Sequence, residues 1–155
     1  MLTATLSTLL GQPEVSAFLR GIGKNNEKAW FEKHRADYEA GYVEPAKAFV
    51  LALGPRLKKI APGVSYEARV NGSLFRINRD VRFSKDKRPY KDHLDFWFWQ
   101  GDRRGWGTPS YYLRLTGESV SLGCGMIHMD RDQLNAFRTA VVDPIRGAAL
   151  EKVAA

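Results

Sequence analysis

The chain has 155 residues, 44% hydrophobic and 26% charged, with a formal net charge of +7. That length fits one domain, residues 1–155, large enough to bury a core without staples, and the composition is that of a soluble globular protein. The single cysteine, Cys124, excludes an internal disulfide and points to a reducing compartment, and no apolar run approaches the ~18 residues of a membrane span.

The N-terminus, Met1 to Leu10, has no basic residue ahead of its short apolar run, which argues against a signal peptide. The expectation is a soluble, cytoplasmic protein with no membrane partner. The oligomeric state is not legible. The first 60 residues read as helices. Pro13 suits a first helical turn, and Val15, Phe18, Leu19 and Ile22 form an apolar face that ends at Gly21 or Gly23. Asn25 or Asn26 caps a second helix carrying Trp30, Phe31, His34 and Tyr38 at helical spacing. A turn at Gly41 leads to a third helix from about Val43 to Ile60, with Ala46, Phe49, Val50, Leu53, Leu57 and Ile60 as its buried stripe. Gly54-Pro55 is expected to kink or split it.

Ala61-Pro62-Gly63 closes the helical half, and the second half alternates with a period of two. Leu94, Phe96 and Phe98 interleave with Asp95, Trp97 and Trp99. A loop from Gly101 to Gly107 follows. Strands over Tyr111–Leu115 and Ser119–Ile127 flank the turn Thr116-Gly117-Glu118 as a hairpin. Asp130 then caps a last helix, with Gln133 at capping-box spacing and Leu134, Phe137 and Val141 facing inward, and Asp143-Pro144 ends it. The predicted fold class is α+β: N-terminal helices packed on a mainly antiparallel sheet, with a C-terminal helix.

Charge is unevenly spread. Between Arg69 and Lys91 stand eight Lys or Arg and two acids, a local +6, while the rest of the chain carries 16 bases against 15 acids. As a strand, Arg76, Asn78, Asp80 and Arg82 share a face; as a helix, Arg76, Arg79, Asp80 and Phe83 do. Periodicity leaves both open, and either brings arginines together with Asp80. Guanidinium forks suit carboxylate or phosphate, so Arg76, Arg79 and Arg82 are candidate fork donors. Lys85, Lys87 and Lys91 are candidate point charges, with Ser84, Arg88 and Tyr90 completing the set and Asp80 as orienter.

Like charges ~4 Å apart repel by roughly 4 kcal/mol at an effective dielectric near 20, so such a cluster must solvate, pair with acids or hold an anion. Three readings follow: a salt-bridged scaffold, a site for an anion (a phosphorylated small molecule, or nucleic acid with stacking by Trp97, Trp99, Trp106 or Tyr90), or a purely solvated basic face. Trp97 and Trp99 read better as core, because a strand in a covered sheet is apolar on both faces. A protein-interaction surface on the same basic face would instead expose an apolar patch with Trp97 or Trp106.

Whether the chain is an enzyme is left open. An enzymatic version would use Asp80 or His93 as general base. Asp92 and Asp95 point to opposite faces on a strand and do not form a catalytic pair. His34, His93 and His128 lie far apart without a second ligand at metal spacing, so no metal and no cofactor is expected. Cys124, between two glycines, reads as a small buried residue, and Asn71-Gly72-Ser73 as a turn.

The run from Gly72 to Lys91 resembles the signature of a bacterial and fungal family catalogued as domain of unknown function 2461. Phe18-Leu19, Asn25-Asn26, Trp30-Phe31, Tyr38 and Pro45 are similar to that family's N-terminal pattern. The resemblance covers roughly residues 15 to 128. It implies a domain shared by many proteins and supplies no activity. Members of that family are usually longer and end in a further basic, proline-containing segment, so the chain is read as a short version or as one whose end is missing.

Overall fold

A computed structural model describes residues 13–102 and 104–154, so the N-terminal Met1–Leu10 stretch and Arg103 of the predicted loop lie outside it. Helix α1 (Pro13–Lys24) buries Val15, Phe18, Leu19 and Ile22, as their spacing predicts. Gly21 and Gly23 lie within it; Asn25 closes it, its Nδ2 and backbone N–H both donating to the Gly21 carbonyl (3.1 and 2.9 Å). Helix α2 (Lys28–Lys33) is capped by neither asparagine. Its N-cap is Glu27, in extended backbone and without a side-chain cap, because the Asn25 and Asn26 amides are engaged elsewhere.

After His34 the chain resumes as α3 (Arg35–Tyr38), passes through a π-helical turn (Glu39–Val43) and continues into α4 (Glu44–Ile60). The predicted turn at Gly41 is therefore part of this continuous helical path. The buried stripe explains the wide turn: Tyr38, Tyr42, Ala46 and Val50 recur every fourth residue, a spacing that drifts off one face of a 3.6-residue helix. Pro55 does not split α4. Gly54 is needed there, since a Cβ would run into the Tyr66 ring. Ile60 is exposed and leaves the predicted stripe.

The sheet has four antiparallel strands in the order β1 (Val64–Ser65), β2 (Leu94–Gln100), β3 (Ser110–Leu115) and β4 (Val120–Gly125). The short β1 escaped the sequence reading. In the β2–β3 register Leu94 opposes Leu115, Asp95 opposes Arg114 and Trp97 opposes Tyr112. One face of the sheet therefore presents Leu94, Phe96, Phe98, Leu113 and Leu115, all buried in one core with the helices; Phe49 of α4 meets Phe96 edge-on at 5.0 Å. The fold is α+β, with helices on one face of an antiparallel sheet.

Two helices follow, α5 (Arg131–Val142) and α6 (Pro144–Ala154). Asp130 and Gln133 form the predicted capping box, and Asp143-Pro144 separates the helices. Phe137 and Val141 do not face inward as expected. They are exposed, because α5 packs on α6 and not on the sheet core. Leu122 and Cys124 of the edge strand β4 are exposed for the same reason. No helix among the described residues is long and apolar enough to cross a membrane.

Candidate functional site

The face of the sheet away from the helices carries Asp95, Trp97 and Trp99 on β2, with Ser110, Tyr112 and Arg114 beside them on β3. It is covered by chain drawn from either side of the basic segment. The Asn71-Gly72-Ser73 turn forms as predicted, with Asn71 in the left-handed region (φ 63°) that asparagine tolerates. Buried Ser73 accepts from the Glu67 N–H through its hydroxyl and from the Trp97 N–H through its carbonyl. The Phe75 N–H then donates to the Asp95 carbonyl. Residues 73–75 thus run along the edge of β2 that β1 leaves uncovered, with Leu74 in the core and Phe75 beside Trp97 on the other face.

The segment from Arg76 to Lys91 is neither strand nor helix. It is an irregular loop closed at its base by the Asn78–Tyr90 bridge, with Arg79 N–H donating to the Pro89 carbonyl and Lys91 N–H to that of Ile77. Asn26 clasps the base: its Nδ2 donates to the Tyr90 carbonyl and its Oδ1 accepts from the Tyr90 N–H, both at 2.9 Å. The Tyr90 ring is buried and stacked on Phe31 (4.4 Å, 23°), so it anchors the loop and offers a ligand no exposed ring.

Within the loop, acids and bases pair in a pattern the sequence did not reveal. Asp80 takes a two-pronged contact from Arg82 (2.9 and 2.7 Å) and does not orient Arg76 or Arg79. Asp86 receives both Arg79 (2.8 Å) and Arg88 (2.8 Å). Hydrogen bonds from Arg82 hold the Asp80 carboxyl down at about 2, and those from Arg88 and Arg79 hold Asp86 well below the usual range. Lys87 donates to the Val81 carbonyl; Ser84 is half-buried and Lys85 exposed. The tip residue Phe83 is 94% exposed.

The nine candidate ligand residues therefore divide. Arg76, Arg79 and Lys91 line a groove on the outer sheet face, while Arg82, Ser84, Lys85, Lys87 and Arg88 belong to the loop beyond it and Tyr90 to the core. Two adjoining basins make up the groove, of about 890 and 670 Å³, and Phe75, Arg79, Lys91, Trp97 and Trp106 line both. Arg76, Asn78, Asp80 and Arg104 belong to the larger basin alone. The smaller one is completed by Tyr112, Ser110 and Met126 together with His93, Asp95 and Arg114.

An aromatic cluster forms the shared wall. Phe75, Trp97 and Trp106 meet in a triangle, with centroids 5.8 Å (Phe75–Trp97), 4.9 Å (Trp97–Trp106) and 6.4 Å (Phe75–Trp106) apart, and only Trp106 is substantially exposed. Two cations rest on it: Lys91 Nζ is 4.8 Å from the Phe75 ring, and the Arg104 guanidinium is 4.7 Å from Trp97 and 5.3 Å from Phe75. Trp97 and Trp99 are buried, as expected for a strand covered on both faces.

Arg104 was missed by the sequence reading, as were Phe75, Tyr112 and Arg114. Its Nη1 donates to the Asn71 carbonyl (2.8 Å), while its buried Nε finds no acceptor among the described residues. Burial lowers its affinity for its proton. Nothing in its loop, rich in glycine and charge, marks it out. Arg114 was findable, since hairpin pairing from Leu94–Leu115 sets it opposite Asp95.

Asp95 organises the smaller basin. Arg114 donates to both its oxygens (2.7 and 3.1 Å), with Lys91 Nζ at 3.5 Å and His93 Nε2 at 3.4 Å. Burial opposes its charge, but hydrogen bonds from His93 and Arg114 hold the carboxyl well below the usual range. Burial likewise pulls Lys91 down, with Asp95 offsetting part of the effect. His93 Nδ1 meets Asp92 at 2.8 Å, so the ring links two carboxylates that the strand pattern separates. With a carboxylate at each nitrogen, His93 would have to release one partner before acting as a base. Asp80, spent on Arg82, is no better placed.

A family model described as Conserved hypothetical protein (DUF2461) matches residues 14–155. No curated protein and no solved structure shows significant similarity to the chain.

Proposed function

The chain belongs to the DUF2461 family, and we propose that it recognises an anionic, phosphate-bearing ligand in the groove on the outer face of its sheet. The observation that carries this reading is that Arg76 and Arg104 lack an ion-pair partner of their own, because the two acids of the larger basin, Glu67 and Asp80, are taken by Arg69 and Arg82. Both line the larger basin, and neither has a carboxylate within ion-pair distance among the described residues. Arg104 is half-buried, and a guanidinium partly out of water is costly without a counter-charge, while Arg76 is exposed and free to turn toward a ligand; an anion between them gains charge-assisted hydrogen bonds from both. Arg79 and Lys91 stand at the same wall with carboxylate partners already in place, so they supply field more than new bonds. The tip of the loop, where Asp80 and Asp86 neutralise their neighbours, fits the scaffold role instead.

Titration with inorganic pyrophosphate, followed by tryptophan fluorescence and calorimetry, tests the proposal. Binding should weaken with added salt. Arg76→Ala and Arg104→Ala should each weaken it about tenfold or more, the worth of one charge-assisted hydrogen bond. Lys87→Ala should leave it unchanged. Failure of pyrophosphate to bind, or undiminished binding in the double arginine variant, would remove the reading. An alternative, nucleic-acid contact through the loop tip, rests on Phe83 standing exposed beside Arg82, 5.7 Å from the guanidinium. It predicts the opposite dependence: salt-sensitive binding of oligonucleotides that Lys87→Ala weakens and Arg104→Ala does not.

A further inference from the structure

We infer that the ligand of this groove is of nucleotide build, a planar nitrogen-bearing ring joined to phosphate, with the ring in the smaller basin and the phosphate in the larger. This rests on the anion reading above and adds the other half of the molecule. The two basins share one wall, so a single ligand can occupy both. Their chemistry differs. The larger holds the unpaired guanidinium groups of Arg76 and Arg104. In the smaller, the cations Lys91 and Arg114 are already committed to Asp95.

What the smaller basin offers is aromatic surface. Trp106 and Tyr112 are about half exposed (53% and 50%) and both line it. Neither is loosely held. Trp106 is backed by the buried Trp97, and Tyr112 lies over Gly123 of β4, where any Cβ would collide with its ring. Rigid, backed aromatic rings are platforms for a planar ligand, since little side-chain entropy is lost on stacking. Two hydroxyls add direction. Thr108 Oγ1 donates to the Gly105 carbonyl (2.6 Å) and Ser110 Oγ to that of Thr108 (2.9 Å). With their protons spent, these hydroxyls can offer a ligand only acceptors, which suits a ring bearing N–H groups. Basins of about 670 and 890 Å³ fall within the size of small-molecule sites and well short of a polymer track.

The experiment compares ADP, inorganic pyrophosphate, adenosine and a single-stranded oligonucleotide on the full chain, by calorimetry and tryptophan fluorescence. ADP should bind about tenfold or more tighter than pyrophosphate, the gain expected from stacking one base. Tyr112→Ala, which touches the smaller basin alone, should reduce that advantage while leaving pyrophosphate affinity intact, which also certifies its folding; Trp106→Ala, on the shared wall, should weaken ADP more than pyrophosphate. Equal affinity for ADP and pyrophosphate overturns the ring inference and leaves the anion reading standing. If pyrophosphate and ADP both fail to bind, the anion reading falls and this one with it. Adenosine binding as tightly as ADP overturns the placement of phosphate, and an oligonucleotide binding more tightly than ADP overturns the commitment to a small ligand.

Discussion

Asn26 and Asp95 show how much of the site hangs on single side chains. Asn26 ties α2's approach to Tyr90, 64 residues later, through two hydrogen bonds of its amide. Asn26→Ala should cost about 1–3 kcal/mol by denaturant titration, because it leaves a partly buried N–H and carbonyl of Tyr90 without partners. Asn26→Asp keeps the acceptor and should recover part of the loss. Asp95 is the counter-charge for Arg114 and Lys91 and lies 3.4 Å from His93 Nε2, and Asp95→Asn should destabilise by roughly 2 kcal/mol, less than a fully buried pair because Arg114 is half exposed. The pH dependence follows from its lowered native pKa. In the unfolded chain a carboxyl titrates near ~3.9, so the unfolded state takes up protons first as pH falls. The stability Asp95 contributes is therefore present above about pH 4 and lost as the pH drops toward its native value. Unfolding midpoints measured down this range should fall less steeply in Asp95→Asn than in the parent. Equal slopes would mean that Asp95 is not the main acid-sensitive group. Asn26 resembled a helix cap, whereas Asp95 stood within sequence reach of the basic segment as a counter-charge, and only its Arg114 partner needed strand register.

The loop between Asn78 and Tyr90 is the element on which sequence reasoning stopped. Its basic character was plain, yet no periodicity assigns a conformation to a segment held by pairings rather than by a ladder. Asp86 is its internal fastener, receiving Arg79 from one limb and Arg88 from the other. Asp86→Asn should loosen the tip without unfolding the domain, since Asp86 and Arg79 are only partly buried, Arg88 is exposed, and the base is fixed independently by Asn26 and Tyr90. Limited trypsin digestion reports this directly. Cleavage at Arg82, Lys85 and Lys87 should accelerate several-fold in the variant, in line with an opening that the ion pairs restrain, while the thermal midpoint barely moves. A large drop in that midpoint would show that the tip is part of the cooperative core. Elements with clear periodicity were legible for the converse reason. The α1 face, the β2 alternation and the Asp130–Gln133 box are local patterns whose physics does not wait for a distant partner.

At the scale of the molecule, helices on one sheet face and an aromatic, basic groove on the other divide stability from recognition. The first half of that division could be read from the sequence. The groove could not, because Phe75, Lys91, Trp97, Arg104 and Tyr112 come from five separate stretches that meet only in the folded sheet. The same division sets the pattern of local stability. Helices α1 and α4 and strands β2 and β3 share one buried core, whereas α5 and α6 contribute no buried residue among those described and leave Phe137, Val142, Ile145 and Val153 exposed. What fastens α5 to the body is polar and local: Gln133 Nε2 donates to the Gly107 carbonyl (2.9 Å), and the capping box closes its first turn. Opening this pair of helices exposes little apolar surface that is not already in water, so its free-energy cost must be well below that of global unfolding. Hydrogen exchange followed by mass spectrometry should find the amides of 131–154 exchanging orders of magnitude faster than those of β2 and α4. The protection gap should close only in denaturant, where the core opens as well. Uniform protection across both regions would mean that the exposed apolar face of α5 and α6 is covered in solution, and a concentration series would then tell whether a second copy covers it.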